Sequence, residues 1–154
     1  MARSTKIALP EDDYLVLVGQ VAYMVGSLEW TVLGDVPRWS QHLPADLTAG
    51  ALAGEPTGVI GRKLRSAADK IAHDQVRNYI ETAGQILGDA AKLRNDVLHA
   101  RAATSEDGFQ RLYRWKEKPQ CAFFITTEWL ERAIDQLSEA SASLGVARVA
   151  AASA

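Results

Sequence analysis

The sequence predicts a mainly α-helical fold, a four- to five-helix bundle with a small β-hairpin at about residues 109–125, before the last helix. Four stretches place apolar residues at steps of three and four positions, the spacing of a helix with one buried face. Ahead of the fourth stretch, aromatic and polar residues alternate from Phe109 to Lys116, which is typical of a strand. The chain has 154 residues, 47% of them apolar, which is enough for one core and a single domain.

The first helix is predicted over residues 12–34, because it follows Pro10 and has acidic residues in its first turn. The residues expected to face inward are Leu15, Val18, Ala22, Val25 and Val32. Glu29 lies on the same stripe, and a buried carboxylate without a partner is costly, so it needs one. The stretch from Tyr14 to Gly34 is also long enough for a membrane span, but Gln20 and Glu29 favour a bundle helix and no membrane.

Residues 35–58 carry three prolines and three glycines and are expected to form a loop with one short helical turn at 45–52. A second helix is predicted over 57–72. Asp74 is the expected N-cap of a third helix over 75–98. One apolar row of that third helix contains Arg94, so the sequence predicts an ion pair between Glu29 and Arg94 if the two helices pack face to face.

The two strands of the hairpin are predicted at 109–116 and 121–125. Thr126 or Thr127 is the expected N-cap of the last helix, which should run over 128–144. The chain after Gly145 is rich in alanine and serine. We therefore expect one domain over residues 1–145 and a flexible tail over 146–154.

Composition excludes several classes of function. A net charge of −2 excludes a surface that binds nucleic acid by overall charge. The single cysteine, Cys121, cannot form an internal disulfide, which together with the lack of a signal peptide favours the cytoplasm. The three histidines have no metal-ligand spacing, and phosphate-loop and nucleophile-elbow motifs are missing, so we expect no metal and no cofactor.

Arg94-Asn95-Asp96-Val97-Leu98-His99, at the end of the third helix, is the sharpest functional signal in the sequence. It resembles the R-x4-6-H motif of the HEPN superfamily, including the polar residue that follows the arginine. HEPN proteins are small helical bundles that commonly dimerise, and many are metal-independent ribonucleases of toxin–antitoxin or other defence systems. The resemblance rests on these six residues and, more broadly, on the predicted bundle, which would be a HEPN-like domain.

The resemblance implies an endoribonuclease in which a ribose 2′-hydroxyl attacks the adjacent phosphate. Arg94 would stabilise the charge on the phosphoryl oxygens, and His99 would transfer the proton near neutral pH. Asn95 would orient these groups as a third catalytic residue, with Glu29 and Asp96 in support. Because each chain has one such pair, we expect a homodimer with the two motifs facing one cleft, an RNA substrate, and an antitoxin or regulatory partner protein.

Candidate RNA contacts follow the motif. Residues 92–118 carry seven basic side chains against four acidic ones, and Phe109, Tyr113 and Trp115 lie among the cations, where they could stack on bases. The candidate contacts are Arg101, Arg111, Tyr113, Arg114 and Lys116. An amphipathic hairpin with its aromatic residues in the core is the alternative interpretation of the same pattern.

Two other functions fit the same residues. The first is a non-catalytic HEPN-like helical dimer that binds a nucleotide, RNA or a partner protein. The second is a plain dimerisation module in which a buried pair of Glu29 and Arg94 fixes the helix register.

Overall fold

The computed structural model describes residues 4–154 and confirms a mainly α-helical fold with a small antiparallel sheet before the last helix. The α-helices are α1 (Asp12–Asp35), α2 (Ala49–Ala53), α3 (Thr57–Ala68), α4 (Asp74–Leu98) and α5 (Thr127–Ala151), and a 3-10 helix (Val36–His42) follows α1. The strands are β1 (Arg101–Thr104), β2 (Gln110–Glu117) and β3 (Gln120–Ile125).

The helix α1 packs against α4 and α5 through a stripe that differs from the predicted one. Val25 and Val32 are buried as expected, but Ala22 is exposed, and Val21 and Leu28 take its place in the core. The sequence could not place this stripe because apolar residues lie on both sides of α1, so the spacing alone does not select one face.

Two glycines allow α3 and α4 to approach closely. A Cβ atom at Gly61 would lie 2.8 Å from the carbonyl oxygen of Gly84, and a Cβ atom at Gly84 would lie 2.7 Å from Cγ of Arg65. A backbone atom cannot move aside as a flexible side chain can. The packing of α4 against position 61 therefore leaves room only for glycine there. This close contact sets the position of α3 against α4.

Of the two predicted N-caps, the one of α5 is confirmed and the one of α4 is wrong. Thr126 caps α5 as expected, because its side chain accepts a hydrogen bond from the N–H of Trp129 at 3.1 Å. The N-cap of α4 is His73 and not Asp74: its Nδ1 accepts a hydrogen bond from the N–H of Val76 at 3.4 Å. Asp74 is instead the first residue of the helix, where its negative charge interacts favourably with the positive end of the helix dipole.

The predicted hairpin is the larger part of a three-stranded sheet in the order β1-β2-β3. The added strand, β1, pairs Arg101 with Tyr113 of β2. Tyr14 attaches the sheet to α1, because its hydroxyl donates to the carbonyl of Ile125 at 2.7 Å and accepts from the N–H of Leu112 at 3.1 Å.

The chain after Gly145 is helical up to Ala151, where a flexible tail over 146–154 was expected. Ala151 is fully buried, and its carbonyl accepts a hydrogen bond from the indole N–H of Trp39 at 3.0 Å. Arg148 contacts Asp35 at 2.7 Å. The buried alanines Ala147 and Ala151 therefore mark close helix packing here, and the domain extends at least to Ala151.

Candidate active site

Arg94, in the last turns of α4, is held by a threonine and not directly by a carboxylate. Its Nη1 donates to the hydroxyl of Thr57 at 2.8 Å, and that hydroxyl donates in turn to Glu29. Thr57 is the first residue of α3 and is 1% exposed, so it lies between α1 and α4. The predicted direct ion pair between Glu29 and Arg94 is wrong: within residues 4–154 the two are joined only through Thr57.

The Arg94 guanidinium has hydrogen-bonding capacity that the rest of the chain does not use. Its Nε is buried and has no acceptor among the described residues. Its Nη2 lies 3.5 Å from Oδ1 of Asn95, which is a long contact. A buried donor without an acceptor costs free energy, but a ligand from solvent cannot reach this buried Nε. An anionic oxygen would have to bind at Nη2, because Nη1 already donates to Thr57.

Asn95 and His99 are both exposed on the final turn of α4. His99 is the C-cap of the helix, and its N–H donates to the carbonyl of Asn95 at 3.0 Å. Side chains four residues apart share one face of a helix. Asn95 therefore lies between Arg94 and His99, which make no direct contact with each other in the described part of the chain.

A cavity of about 550 Å³ lies beside His99, over the strands β1 and β2. It is lined by His99, Arg101, Ala102, Ala103, Tyr113, Arg114, Trp115 and Glu117. Arg101 and Tyr113 are direct partners in the β1–β2 register, and the indole of Trp115 is 66% exposed. The cavity thus combines an imidazole, guanidinium groups, the carboxylate of Glu117, the exposed ring of Trp115 and the half-buried ring of Tyr113. The cationic groups can hold a phosphate, and the aromatic rings can stack on an unstacked base. Arg94 does not line the cavity.

Asp96 holds the sheet to the end of α4. Its Oδ1 lies 2.7 Å from Nζ of Lys116 and 3.2 Å from Nε of Arg114, and all three side chains are less than a third exposed. Arg114 also donates to the carbonyl of Trp115 at 2.8 Å. Asp96 therefore positions Trp115 and the wall of the cavity. Its carboxylate also neutralises part of the positive charge of Arg114 and Lys116, which are two of the candidate RNA contacts.

Arg111 lies away from the cavity. Its Nη1 contacts Glu11 at 2.6 Å, and its guanidinium lies over the ring of Tyr14, 4.8 Å from the ring centre. The hydrogen bond to Glu11 raises the pKa of Arg111 and lowers the pKa of Glu11. Of the five candidate RNA contacts, Arg101, Tyr113 and Arg114 line the cavity, whereas Arg111 and Lys116 do not. Arg114, Arg111 and Lys116 each form an ion pair with a carboxylate of the same chain.

A second polar cluster lies toward the other end of α4, around the buried Asp35. Tyr79 donates its hydroxyl hydrogen to Asp35 at 2.6 Å, and the side chains of Arg38 and Arg148 contact the same carboxylate at 3.2 Å and 2.7 Å. Burial, reinforced by this hydrogen bond, raises the pKa of Tyr79 strongly. Fifteen residues of helix, about 22 Å, separate Tyr79 from Arg94, so the cluster is a clamp for the C-terminal helix and not part of the cavity.

Sequence reasoning missed Thr57 and the Asp35 cluster. Thr57 follows Pro56 at a helix start, where a threonine is ordinary, and Asp35 was placed in a loop.

In residues 4–154 there is no group of three or more metal-ligating side chains. Comparisons with protein-family models, curated proteins and solved structures find no match to this chain.

Proposed function

We propose that this protein is a HEPN-like, metal-independent endoribonuclease that binds single-stranded RNA in the cavity formed by His99, β1 and β2. One observation carries the proposal: the exposed His99 lines a cavity with Arg101, Tyr113 and Trp115, and lies one helical turn from Asn95 and the unsatisfied Arg94. Acid–base, anion-binding and base-stacking groups are thereby gathered at one end of the bundle.

The chemistry requires a proton acceptor and a proton donor. A 2′-hydroxyl loses its proton to a general base and attacks the adjacent phosphorus, and the bond from phosphorus to the 5′-oxygen breaks as that oxygen is protonated. The products are a 2′,3′-cyclic phosphate and a 5′-hydroxyl end. His99 suits either proton transfer, and Arg94 suits the charge on the phosphoryl oxygens.

Each chain supplies one His99, so the base and the acid come from two subunits of a homodimer in this proposal. Asn95 lies between the two catalytic side chains and orients the scissile phosphate. Glu29, acting through Thr57, and Asp96, acting through the sheet, are positioning residues. As an RNA-cleaving toxin or defence effector in the cytoplasm, the protein would need an antitoxin or regulatory partner to restrain it.

A second candidate function is binding of RNA or a nucleotide without cleavage. The observation that favours it is the separation of Arg94 from His99, since Arg94 turns toward Thr57 while His99 lines the cavity. In that case Arg101, Tyr113 and Trp115 would bind the ligand. The motif from Arg94 to His99 would only stabilise the helical bundle.

The test is cleavage of a mixed RNA pool in EDTA by the wild type and by the His99→Ala, Arg94→Ala and His42→Ala variants, each confirmed as folded by circular dichroism. We expect fragments with cyclic phosphate ends, lost in the first two variants and kept in His42→Ala, because His42 packs on His73 away from the cavity. Cleavage that survives His99→Ala would refute the assignment. No cleavage, combined with RNA binding that Arg101→Ala weakens, would establish the second function.

A further inference from the structure

A groove of about 520 Å³ lies between α3 and the chain that leads into α2. One of its walls comes from residues 44–52 and the other from residues 59–70, and we call it the α3 groove. None of the described residues that line it also lines the cavity beside His99. The α3 groove is therefore separate from the proposed RNA site.

The two walls of the α3 groove differ in chemistry. Residues 47–54 contain no charged side chain, and Leu47, Ala51 and Leu52 of this stretch line the groove. Leu47 and Leu52 are buried, whereas Ala51 is exposed. The wall on the side of α3 carries three basic side chains, Arg62, Lys63 and Lys70. The groove thus has one apolar wall and one cationic wall.

Two of these cations are available to an outside partner. Lys63 forms an ion pair with Glu55. Arg62 and Lys70 are exposed and form no hydrogen bond or ion pair with any residue in the range 4–154. Residues 57–70 carry four basic side chains against one acidic side chain, a net charge of +3 in a chain whose total is −2. The α3 groove therefore presents unpaired positive charge to solvent.

We propose that the α3 groove binds an acidic amphipathic helix of a partner protein. The apolar side of that helix would lie against Ala51 and Val59, and its carboxylates would face Arg62 and Lys70. Arg62 and Lys70 are eight positions apart, which is about 12 Å along a helix axis. Acidic residues two turns apart on the partner helix would therefore reach both cations.

A nucleic acid fits the α3 groove less well than an acidic helix does. None of the described residues that line it is aromatic, so it cannot stack on bases as the cavity beside His99 can. The exposed carboxylate of Asp46 also lies in the groove, where it would repel a backbone that carries a phosphate at every nucleotide. A peptide can place an uncharged or basic side chain opposite Asp46, and it has apolar side chains for the wall at Ala51.

The inference goes beyond the proposed function, which names no surface for a partner protein. Its first test is the selection of peptides of about 16 residues, long enough for a short helix, from a random phage-displayed library on the wild-type chain. We expect the enriched peptides to combine acidic residues one or two helical turns apart with an adjacent apolar face. The dissociation constants of the synthesised peptides, measured by fluorescence anisotropy, should rise with salt because exposed charges are screened.

Charge reversal locates the binding site. Arg62→Glu/Lys70→Glu should raise the dissociation constant of the enriched peptides at least about 10-fold, because like charges would then face each other. The matched control is Lys6→Glu/Arg132→Glu, which changes the net charge equally at exposed positions outside the α3 groove and should leave binding unchanged. Both double variants change only exposed side chains, and circular dichroism checks that both are folded.

The apolar wall is tested separately. Ala51→Gln places a larger polar side chain in the α3 groove and should weaken peptide binding about 5-fold or more. Ala53→Gln is its control, because Ala53 is exposed on the same short helix but does not line the groove. Equal binding by the two variants would show that the apolar wall makes no contact with the peptide, which contradicts an amphipathic partner.

A library that yields no peptide whose binding depends on Arg62 and Lys70 overturns the proposal, and so do enriched peptides without an excess of acidic residues. If Arg62→Glu/Lys70→Glu weakens binding of a labelled single-stranded RNA while no acidic peptide binds, the α3 groove is a nucleic-acid surface and the proposal is wrong. The peptide selection contains no RNA, and RNA cleavage is measured on the same variants. A failure of the α3 groove and a failure of the proposed function are therefore distinguished.

Discussion

Nη1 of Arg94 lies 2.8 Å from the hydroxyl oxygen of Thr57, which joins the last turns of α4 to the first residue of α3. The same hydroxyl donates its hydrogen to Glu29 on α1. One buried side chain therefore orients the guanidinium from the interior of the bundle. Because the carboxylate is one residue removed, Arg94 is positioned without being neutralised by a direct ion pair.

Replacing Thr57 tests this relay. Thr57→Val keeps the shape of the side chain but removes the hydroxyl, so Arg94 and Glu29 both lose a hydrogen-bond partner. We expect the free energy of unfolding in urea to fall by about 1–3 kcal/mol. Thr57→Ser keeps the hydroxyl and should lose less than Thr57→Val. A smaller loss in Thr57→Val than in Thr57→Ser would show that the methyl group, and not the hydrogen bonds, is what matters at this position.

Asp35→Asn tests the clamp on the C-terminal helix. The carboxylate is 4% exposed and binds Tyr79, Arg38 and Arg148, so its replacement removes the negative charge that both arginines face. We expect a loss of about 2–4 kcal/mol, below the usual cost of breaking a fully buried pair because both arginines are partly exposed. Asp46→Asn, at an exposed position, is the control and should change stability little. A stable Asp35→Asn variant would contradict the clamp.

Tyr79 should limit stability in alkali. Burial and the hydrogen bond to Asp35 raise its pKa above the ordinary value of 10.0, so the folded state keeps a proton that the unfolded state releases. The contribution is fully present below pH 10 and is lost as the pH rises above it. Unfolding in urea at several pH values between 8 and about 11 should therefore show a declining stability, and Tyr79→Phe should flatten the decline. An equal slope in both proteins would exclude Tyr79 as its source.

Gly61→Ala tests the close contact between α3 and α4. The new Cβ would lie 2.8 Å from a backbone oxygen, so one helix has to shift, at a cost of about 1–3 kcal/mol. Gly145→Ala on α5 meets nothing within 4 Å and should raise stability by about 0.5–1 kcal/mol, since alanine favours a helix. Thermal unfolding of the two variants measures the contrast, and effects of the same sign would contradict the proposed packing.

The sequence predicted the buried face of a helix where the apolar residues lie on one side, and it failed where they lie all round. In α4, the row that contains Tyr79 and Val97 has the spacing of a single core-facing surface, and both residues are buried. In α1, apolar residues lie all round, so the row through Ala22 was chosen wrongly and the buried Val21 and Leu28 were not recognised. The alanines near Ala151 led to the wrong prediction of a flexible tail, because alanine is equally common in a flexible tail and in a close helix contact.

The candidate site was predicted in parts. Local spacing placed Asn95 and His99 on the last turn of one helix, and the alternation in β2 placed Tyr113 beside the basic residues. That Thr57 lies between Glu29 and Arg94 depends on how α3 meets two other helices, and no local pattern encodes such a contact. The short strand β1, which supplies Arg101 to the cavity, lacks the alternation that marks a strand.

Trp115 is the residue that connects the cavity most directly to RNA. Its indole is 66% exposed on β2, with its backbone carbonyl held by Arg114, which Asp96 positions. Stacking of one base on an aromatic ring contributes about 1–3 kcal/mol, so Trp115→Ala should weaken binding of a short single-stranded RNA by about 10-fold or more. Fluorescence anisotropy with labelled RNA measures this, using Trp30→Ala as the control because that tryptophan is similarly exposed but lies on α1, outside the cavity. If Trp30→Ala weakened RNA binding as much as Trp115→Ala, RNA would contact the α1 face as well, and the cavity would not be its specific binding site.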